Sequence, residues 1–312
     1  EAIQRSTSVY FTEGVVHMLP EALSANLCSL RPNEDRLAVS AIMKMDKDFN
    51  IMEKEILPTV INSKARFTYQ DVQDIVEDKI DHKFKDDILI LKRLAKRLFK
   101  NRSDAGSIDF DIPEPIFEMG EKGIPHEIRP SERMESHRIV EECMLLANRV
   151  VAAEMPKKLP KNYPFVYRVH ANPDQKDVVR FTDLLKVLRL GIQIPKGELS
   201  PNDIKNVLKH VEDSPYRSLI ENVALRTMSK AEYSMKNQGH FGLAFDHYTH
   251  FTSPIRRYPD LMVHRMIKMV CNKSIQQEGE WRELMLKSIN ISNEVELKAL
   301  SAEREYIKMK QL

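Results

Sequence analysis

The 312-residue sequence predicts an α/β fold of the mixed α+β kind, and three observations carry that expectation. Apolar residues alternate loosely over 37–43 and again over 49–61, the period-two pattern of paired antiparallel strands. Helical periodicity dominates from residue 131 onwards, above all over 131–155 and 281–312. No internal repeat or low-complexity linker divides the chain, so residues 1–312 read as one unit. The expected architecture is a sheet from the N-terminal half covered by helices, with a long helix at the C-terminal end.

Taken in order, residues 5–20 suggest a short strand and a turn, and 20–27 a brief helical piece. Residues 45–50 form a turn candidate between the two longer strands. Its Asp46 and Asp48 are what hairpin turns favour and are not taken as a metal site. Thr68 is placed to cap a helix that follows it. Over 86–102 the pattern is amphipathic, with Ile88, Leu91, Ala95, Leu98 and Phe99 on one face. Lys92, Arg93, Lys96, Arg97 and Lys100 lie elsewhere and read as a solvated basic stripe. Asp109, Asp111 and Glu114 alternate as on a strand and read as structural. Ser131 is the expected cap of the next helix, with Glu132 in its first turn. A strand at 165–169 and helices over 177–190, 202–210 and 216–228 follow. In the last helix Ser292, Val295, Ala299, Ala302 and Tyr306 share a small-residue face, with Glu303 beside it.

Composition constrains function only loosely. Charged residues make up 30% of the chain and nearly cancel, at formal net charge +2. A groove can be basic on a protein that is not, so this balance neither supports nor excludes nucleic acid. Cys28, Cys143 and Cys271 are odd in number, far apart and without metal-type spacing, as expected of reduced thiols in a cytoplasmic protein. No apolar run approaches membrane-spanning length.

Chemistry concentrates in residues 239–265, where histidines, aromatics, hydroxyls and the Arg256–Arg257 pair run together. Pro259 suits the first helical position and Asp260 the first turn. Residues 253–258 therefore lie at a helix mouth, where free N–H groups and the dipole favour an anion. Arg256 and Arg257 carry planar forks that match phosphate, and Tyr248, Phe251 and Tyr258 offer faces for base stacking. The stretch reads as a place where a nucleic-acid phosphate is held. Taken singly, paired arginines are more often a solvated rim, and aromatics before a helix more often core.

The run His247-Tyr248-Thr249-His250-Phe251-Thr252-Ser253-Pro254-Ile255-Arg256-Arg257-Tyr258-Pro259-Asp260-Leu261, with His264-Arg265, resembles the signature of the ribonuclease II / ribonuclease R family of exoribonucleases. Thr7-Ser8-Val9-Tyr10-Phe11, the run 139–148 around Glu141-Glu142, the run 222–233 and Ser301-Ala302-Glu303-Arg304-Glu305 extend the resemblance over almost the whole chain. It implies an RNB-type catalytic domain. The activity implied is processive 3′-to-5′ hydrolysis of single-stranded RNA to nucleoside 5′-monophosphates, with Mg2+ in a two-metal mechanism. By the same resemblance Arg256 holds the scissile phosphate, and Ser253, Arg257 and Tyr258 position it or the neighbouring phosphate. Tyr10 and Phe117 sandwich the terminal bases. Tyr69 lies in the catalytic cavity, and Glu303 with one of Glu141 and Glu142 orients the nucleotide. The family's metal-binding aspartates form a cluster upstream of the matched residues, and no such cluster occurs here. The expectation is a fragment, monomeric, that binds RNA weakly and does not cleave it, without the family's flanking cold-shock and S1 barrels.

Two other classes compete with this one. A metal-dependent hydrolase built on His240, His247, His250 and His264 lacks the acidic or cysteine partners that complete a zinc set. A non-catalytic RNA-binding module would use the same phosphate and base contacts without hydrolysis.

Overall fold

The computed structural model describes residues 1–109, 115–119, 125–192, 194 and 198–311. Asp111 and Glu114 lie outside the described residues. A short helix α1 (Ala2–Arg5) leads into a hairpin, β1 (Val9–Phe11) and β2 (Gly14–Val16), and a π-helical turn covers Ala22–Leu27. The long hairpin β3 (Asp35–Met45) and β4 (Ile51–Asn62) comes next, then α2 (Tyr69–Val76) and α3 (Lys85–Asp104). A third hairpin, β5 (Pro115–Met119) and β6 (Pro125–Pro130), precedes α4 (Glu135–Glu154) and the short strand β7 (Tyr167–Val169). Helices α5 (Gln175–Val187), α6 (Pro201–His210) and α7 (Arg217–Thr227) lead to β8 (Glu232–Ser234), then α8 (Tyr258–Cys271) and α9 (Glu278–Gln311).

The mixed α/β class and the long final helix are as expected. The strands are arranged differently: among the described residues they pair as four separate two-stranded antiparallel ladders and do not join in one sheet. Each of three ladders finds a helix to cover it. The β3–β4 ladder lies on α8 and α4, while β1–β2 and β7–β8 both lie on α9. In β3 the alternation works as read, with Val39, Ala41, Met43 and Met45 facing the core. The 45–50 turn is closed by Asp46, whose Oδ1 accepts the N–H groups of Asp48 (2.9 Å) and Asn50 (2.8 Å), so the aspartate is structural.

Local rules explain several helix starts. Thr68 caps α2 in a reciprocal box with Asp71, at 3.1 and 2.7 Å. Ser200 does the same for α6 with Asp203, and Pro201 takes the first turn. Ser131 does not cap α4, which starts four residues later. There His137 Nδ1 accepts the Met134 N–H at 3.2 Å, and a tertiary contact adds to it: Gln73 of α2 accepts the Ser136 N–H at 3.1 Å. Glu135 in the first turn is held by Lys92 (2.6 Å) and Lys96 (3.1 Å) of α3, so two members of the basic stripe are neutralised. On α3 itself Leu94 is buried and Leu91 exposed, the reverse of the expected face at those positions.

Three groups of buried residues result. The largest packs Met262, Met266 and Ile267 of α8 against Val151 of α4 and Trp281 and Met285 of α9. A second gathers α5, α6 and α7 around Phe181, Ile204 and Ile220. A smaller one joins α2, α3 and α4 through Ile75, Ile88 and Ile139. Helix α9 ties the chain's ends together, with Ser292 on Ser6 (2.6 Å) and Glu296 paired twice with Arg168 (2.7 and 2.9 Å). Ala302 is exposed, so the packed face of α9 runs through Ser292, Glu296, Ala299 and Glu303.

Candidate nucleic-acid interface

The loop before α8 is held by side chains reaching its backbone and by backbone–backbone bonds. Asn148 of α4, 2% exposed, accepts the N–H groups of Phe251 (2.9 Å) and Thr252 (3.2 Å) through one oxygen. Its amide nitrogen donates to the Tyr248 hydroxyl at 3.1 Å. Asp260 accepts the Ser253 N–H at 2.8 Å, and His264 Nε2 donates to the Phe251 carbonyl at 2.8 Å. On the far side, the Arg256 carbonyl accepts the Ser8 N–H (2.9 Å) and the Thr7 hydroxyl (3.3 Å). The N–H groups of Arg256 and Arg257 both return to the Ser253 carbonyl, at 3.2 and 3.1 Å. The backbone on either side of Arg256 is thus fixed. Its side chain is partly exposed and, among the described residues, has no hydrogen-bond or ion-pair partner.

Arg257 is built differently. Its Nη2 donates to Asp260 Oδ1 at 2.9 Å, and Nε lies 2.9 Å from Oδ2, off the hydrogen-bonding line. Burial pulls this guanidinium down, but the Asp260 carboxylate more than offsets that and leaves it above its ordinary value. The helix mouth is therefore already occupied by the chain's own carboxylate, with Asp260 fully buried. The Tyr258 N–H goes to the Ser6 carbonyl at 2.8 Å, and Pro259 has no N–H to offer. The expected anion site at free helix amides is corrected accordingly, and the available phosphate group is Arg256 alone of the pair. Tyr248, Phe251 and Tyr258 are 6%, 5% and 8% exposed, so their rings are core and not stacking faces.

The other candidates fall into two groups. Tyr10 is 47% exposed on β1, and its N–H donates to Glu303 Oε1 at 3.0 Å. Both are joined to the Arg256 loop through Ser6–Ser8. Tyr69, also 47% exposed, opens α2 and lies on His137 of α4, ring centroids 4.1 Å apart. One turn further along α4, Glu141 is partly exposed and accepts from Arg133 at 2.6 Å. Burial lowers Arg133, and Asp109 and Glu141 together more than reverse that. Glu142 is 2% exposed and 2.6 Å from the buried Arg102, which also lies 3.9 Å from Glu141. No described contact joins Tyr69 or Phe117 to the Arg256 loop; Phe117 is partly buried on β5. Helix α4 connects the two groups, since His137 and Asn148 lie about 16 Å apart along its axis at 1.5 Å per residue.

One protein-family model, the RNB domain, matches residues 1–273. The chain belongs to the RNB domain family. A ribonuclease R of Aquifex aeolicus is 38% identical over 312 residues, which cover 96% of this chain and 44% of that protein. One from Vibrio cholerae is 39% identical, covering 89% and 34%. Mycoplasma genitalium RNase R, solved in complex with ribose-methylated single-stranded RNA, matches with a TM-score of 0.90 at 29% identity, over all of this chain and 49% of that one. Yeast Ssd1, a pseudonuclease, shares the fold with a TM-score of 0.76 at 19% identity. The chain spans less than half the length of these two curated ribonucleases. Helix α9 lies beyond the RNB match, yet it packs on the hairpin and loop of the matched region.

Several histidines of this RNB chain pack against one another and against aromatic rings. His170, His240, Tyr248 and His250 meet edge to face in series, with centroids 5.0, 5.3 and 5.6 Å apart, and Tyr233 shares a 2.8 Å hydrogen bond with His250. His264 stacks on Phe251 at 4.7 Å, and His247 is exposed. Among the described residues no group of three or more His, Cys, Asp or Glu side chains could hold a metal ion. No helix among them is long and apolar enough to cross a membrane.

Burial pushes His240 down from 6.5 to about 3 and lowers His170, His250 and His264 as well. Burial disfavours the charged forms of these rings in the folded chain, whereas unfolded they take up protons below about 6.5, so the unfolded state binds more protons there. Stability is therefore full above that pH and falls progressively as pH drops towards 3. Thermal melts between pH 7.5 and 5 are expected to show a falling midpoint, with the slope reduced in His240→Gln; a flat profile would contradict this arrangement.

Sequence reasoning passes over Asn148, although it ends the 139–148 run. An asparagine inside a long apolar helix is the available signal, because a buried amide must find partners.

Proposed function

We propose that this chain is the RNA-gripping part of a 3′-to-5′ exoribonuclease that hydrolyses single-stranded RNA to nucleoside 5′-monophosphates, as a monomer in the cytoplasm. The observation that carries the reading is Arg256: a guanidinium without a partner among the described residues, on a backbone tied down on both sides. Hydrolysis of a phosphodiester builds charge on the phosphoryl oxygens, and a donor fixed in advance stabilises it without reorganising. Arg257, Tyr258 and Ser253 act behind it, as partner to Asp260, core ring and backbone anchor. Tyr10 offers an exposed ring for a terminal base, with Phe117 as the proposed opposing ring. Tyr69, Glu141 and Glu303 are the proposed groups that set the nucleotide's orientation, whereas the buried Glu142 supports the fold.

Mg2+ is the proposed cofactor of the whole protein, where two ions would activate water and stabilise the leaving oxygen. The described residues do not fit it: they present no ligand set, and Asp109 is held by Arg133 (2.8 Å) and Arg138 (3.8 Å). Its ligands belong to residues other than these.

The test incubates end-labelled single-stranded RNA and Mg2+ with the 312-residue chain and with a version extended upstream. The short chain is expected to bind without releasing mononucleotides and to prefer single strands to duplex. Its log affinity should fall with log salt by about 0.7 per phosphate neutralised. The extended version is expected to cleave. Comparable release by both would place the metal set within these residues. Binding by both without cleavage would favour a non-catalytic RNA-binding role.

A further inference from the structure

Glu303, Tyr306 and Lys310 follow one another along α9 at spacings of three and four, so they share one face of the helix. All three engage the β1–β2 hairpin. Glu303 accepts the Tyr10 N–H at 3.0 Å, and the Tyr306 ring packs on Phe11 with centroids 4.9 Å apart. Lys310 Nζ lies 2.5 Å from Glu13 and 5.5 Å from the centre of the Tyr306 ring. The hairpin's strands are three residues each and pair only with one another among the described residues. A ribbon that short does not hold itself together in water. Beyond the tie of Ser8 to the Arg256 carbonyl at the hairpin's base, what holds Tyr10 in place is therefore the end of α9.

We propose that Tyr306 and Lys310 are positioning residues for RNA: by clamping Phe11 and Glu13 they fix the hairpin so that the exposed Tyr10 ring meets a base. The proposal rests on the reading of Tyr10 as a stacking surface. No described contact joins either side chain to the Tyr10 ring, so both act through the hairpin backbone. With the clamp released, the hairpin has to be ordered when RNA binds, and that cost is taken from affinity.

The experiment titrates the 312-residue chain against single-stranded RNA carrying 2-aminopurine as its 3′-terminal base, whose fluorescence falls when it stacks. Tyr10→Ala is expected to abolish the quench. Tyr306→Ala and Glu13→Lys are expected to weaken binding by about threefold to tenfold, part of one base-stacking contact, and to reduce the quench. Tyr306→Phe keeps the ring and should behave as the unsubstituted chain. The double variant Glu13→Lys with Lys310→Glu should recover most of what Glu13→Lys loses, which general damage to the fold would not do. Unchanged quench and affinity in Tyr306→Ala and Glu13→Lys, with Tyr10→Ala still abolishing the quench, overturns the clamp alone. A quench indifferent to Tyr10→Ala, or absent from the unsubstituted chain, overturns the stacking reading and the clamp's role with it.

Discussion

Arg256→Lys, made in the cleavage-competent protein, is expected to lower turnover by about a hundredfold or more, the cost of losing one preorganised donor to developing charge. RNA affinity should fall only a few-fold, since lysine keeps the charge and other contacts remain. The split follows from geometry. The loop around Arg256 is tied to Ser8, Thr7 and Ser253 through its backbone, so the substituted side chain starts from the same place. What changes is the planar fork, which a flexible ammonium cannot reproduce. Arg257→Lys should behave in the opposite sense. Its fork is spent on Asp260, so the loss should appear as reduced stability, with turnover altered only through the loop. Single-turnover rates and binding constants for the two variants separate these outcomes. Equal losses of binding and turnover in Arg256→Lys would make Arg256 one backbone contact among many.

The contrast between these neighbours shows where sequence reading stops. Both arginines look alike in a motif, and only a partner three residues on distinguishes them; Asp260 stands at the i+3 spacing that helix surfaces favour, which is the legible hint. The β3–β4 hairpin is readable because one face of β3 is covered over 39–45 and alternation survives there, while Leu37 is exposed. Ser131 misleads because α4 takes part of its capping from Gln73, more than sixty positions earlier, and no local pattern records that. Leu91 and Leu94 are both apolar on adjacent faces of α3, and which one is covered depends on where α4 lies. The stacking role expected of Tyr248, Phe251 and Tyr258 fails for a related reason. An aromatic before a helix satisfies a core and a ligand equally well, and burial decides between them. Tyr10 and Glu303 lie 293 positions apart, yet a hydrogen bond joins them, a proximity that residue type alone does not announce.

The adjacent glutamates give the sharpest stability test. Glu142→Ala is expected to cost about 3–5 kcal/mol, the usual effect of removing one partner from a buried ion pair. Its carboxylate lies 2.6 Å from Arg102, with side chains 2% and 4% exposed, so the desolvated guanidinium left behind would have only the Glu141 carboxylate, 3.9 Å away, to compensate it. Ser107 accepts from the same arginine at 3.1 Å but carries no charge to replace the lost one. Burial raises the Glu142 carboxyl while Arg102 opposes the shift, so Glu142→Gln, which keeps the shape, should recover only part of the loss. Glu141 is partly exposed, and its shorter pair, with Arg133, is partly solvated, at 37% and 24% exposure. Glu141→Ala should therefore cost less than about 1 kcal/mol in urea unfolding. The proposed substrate role appears there instead, as a change in RNA affinity or turnover at near-unchanged stability. If Glu142→Ala unfolds at the same urea concentration as the unsubstituted chain while Glu141→Ala is strongly destabilised, the assignment of the two carboxylates is reversed.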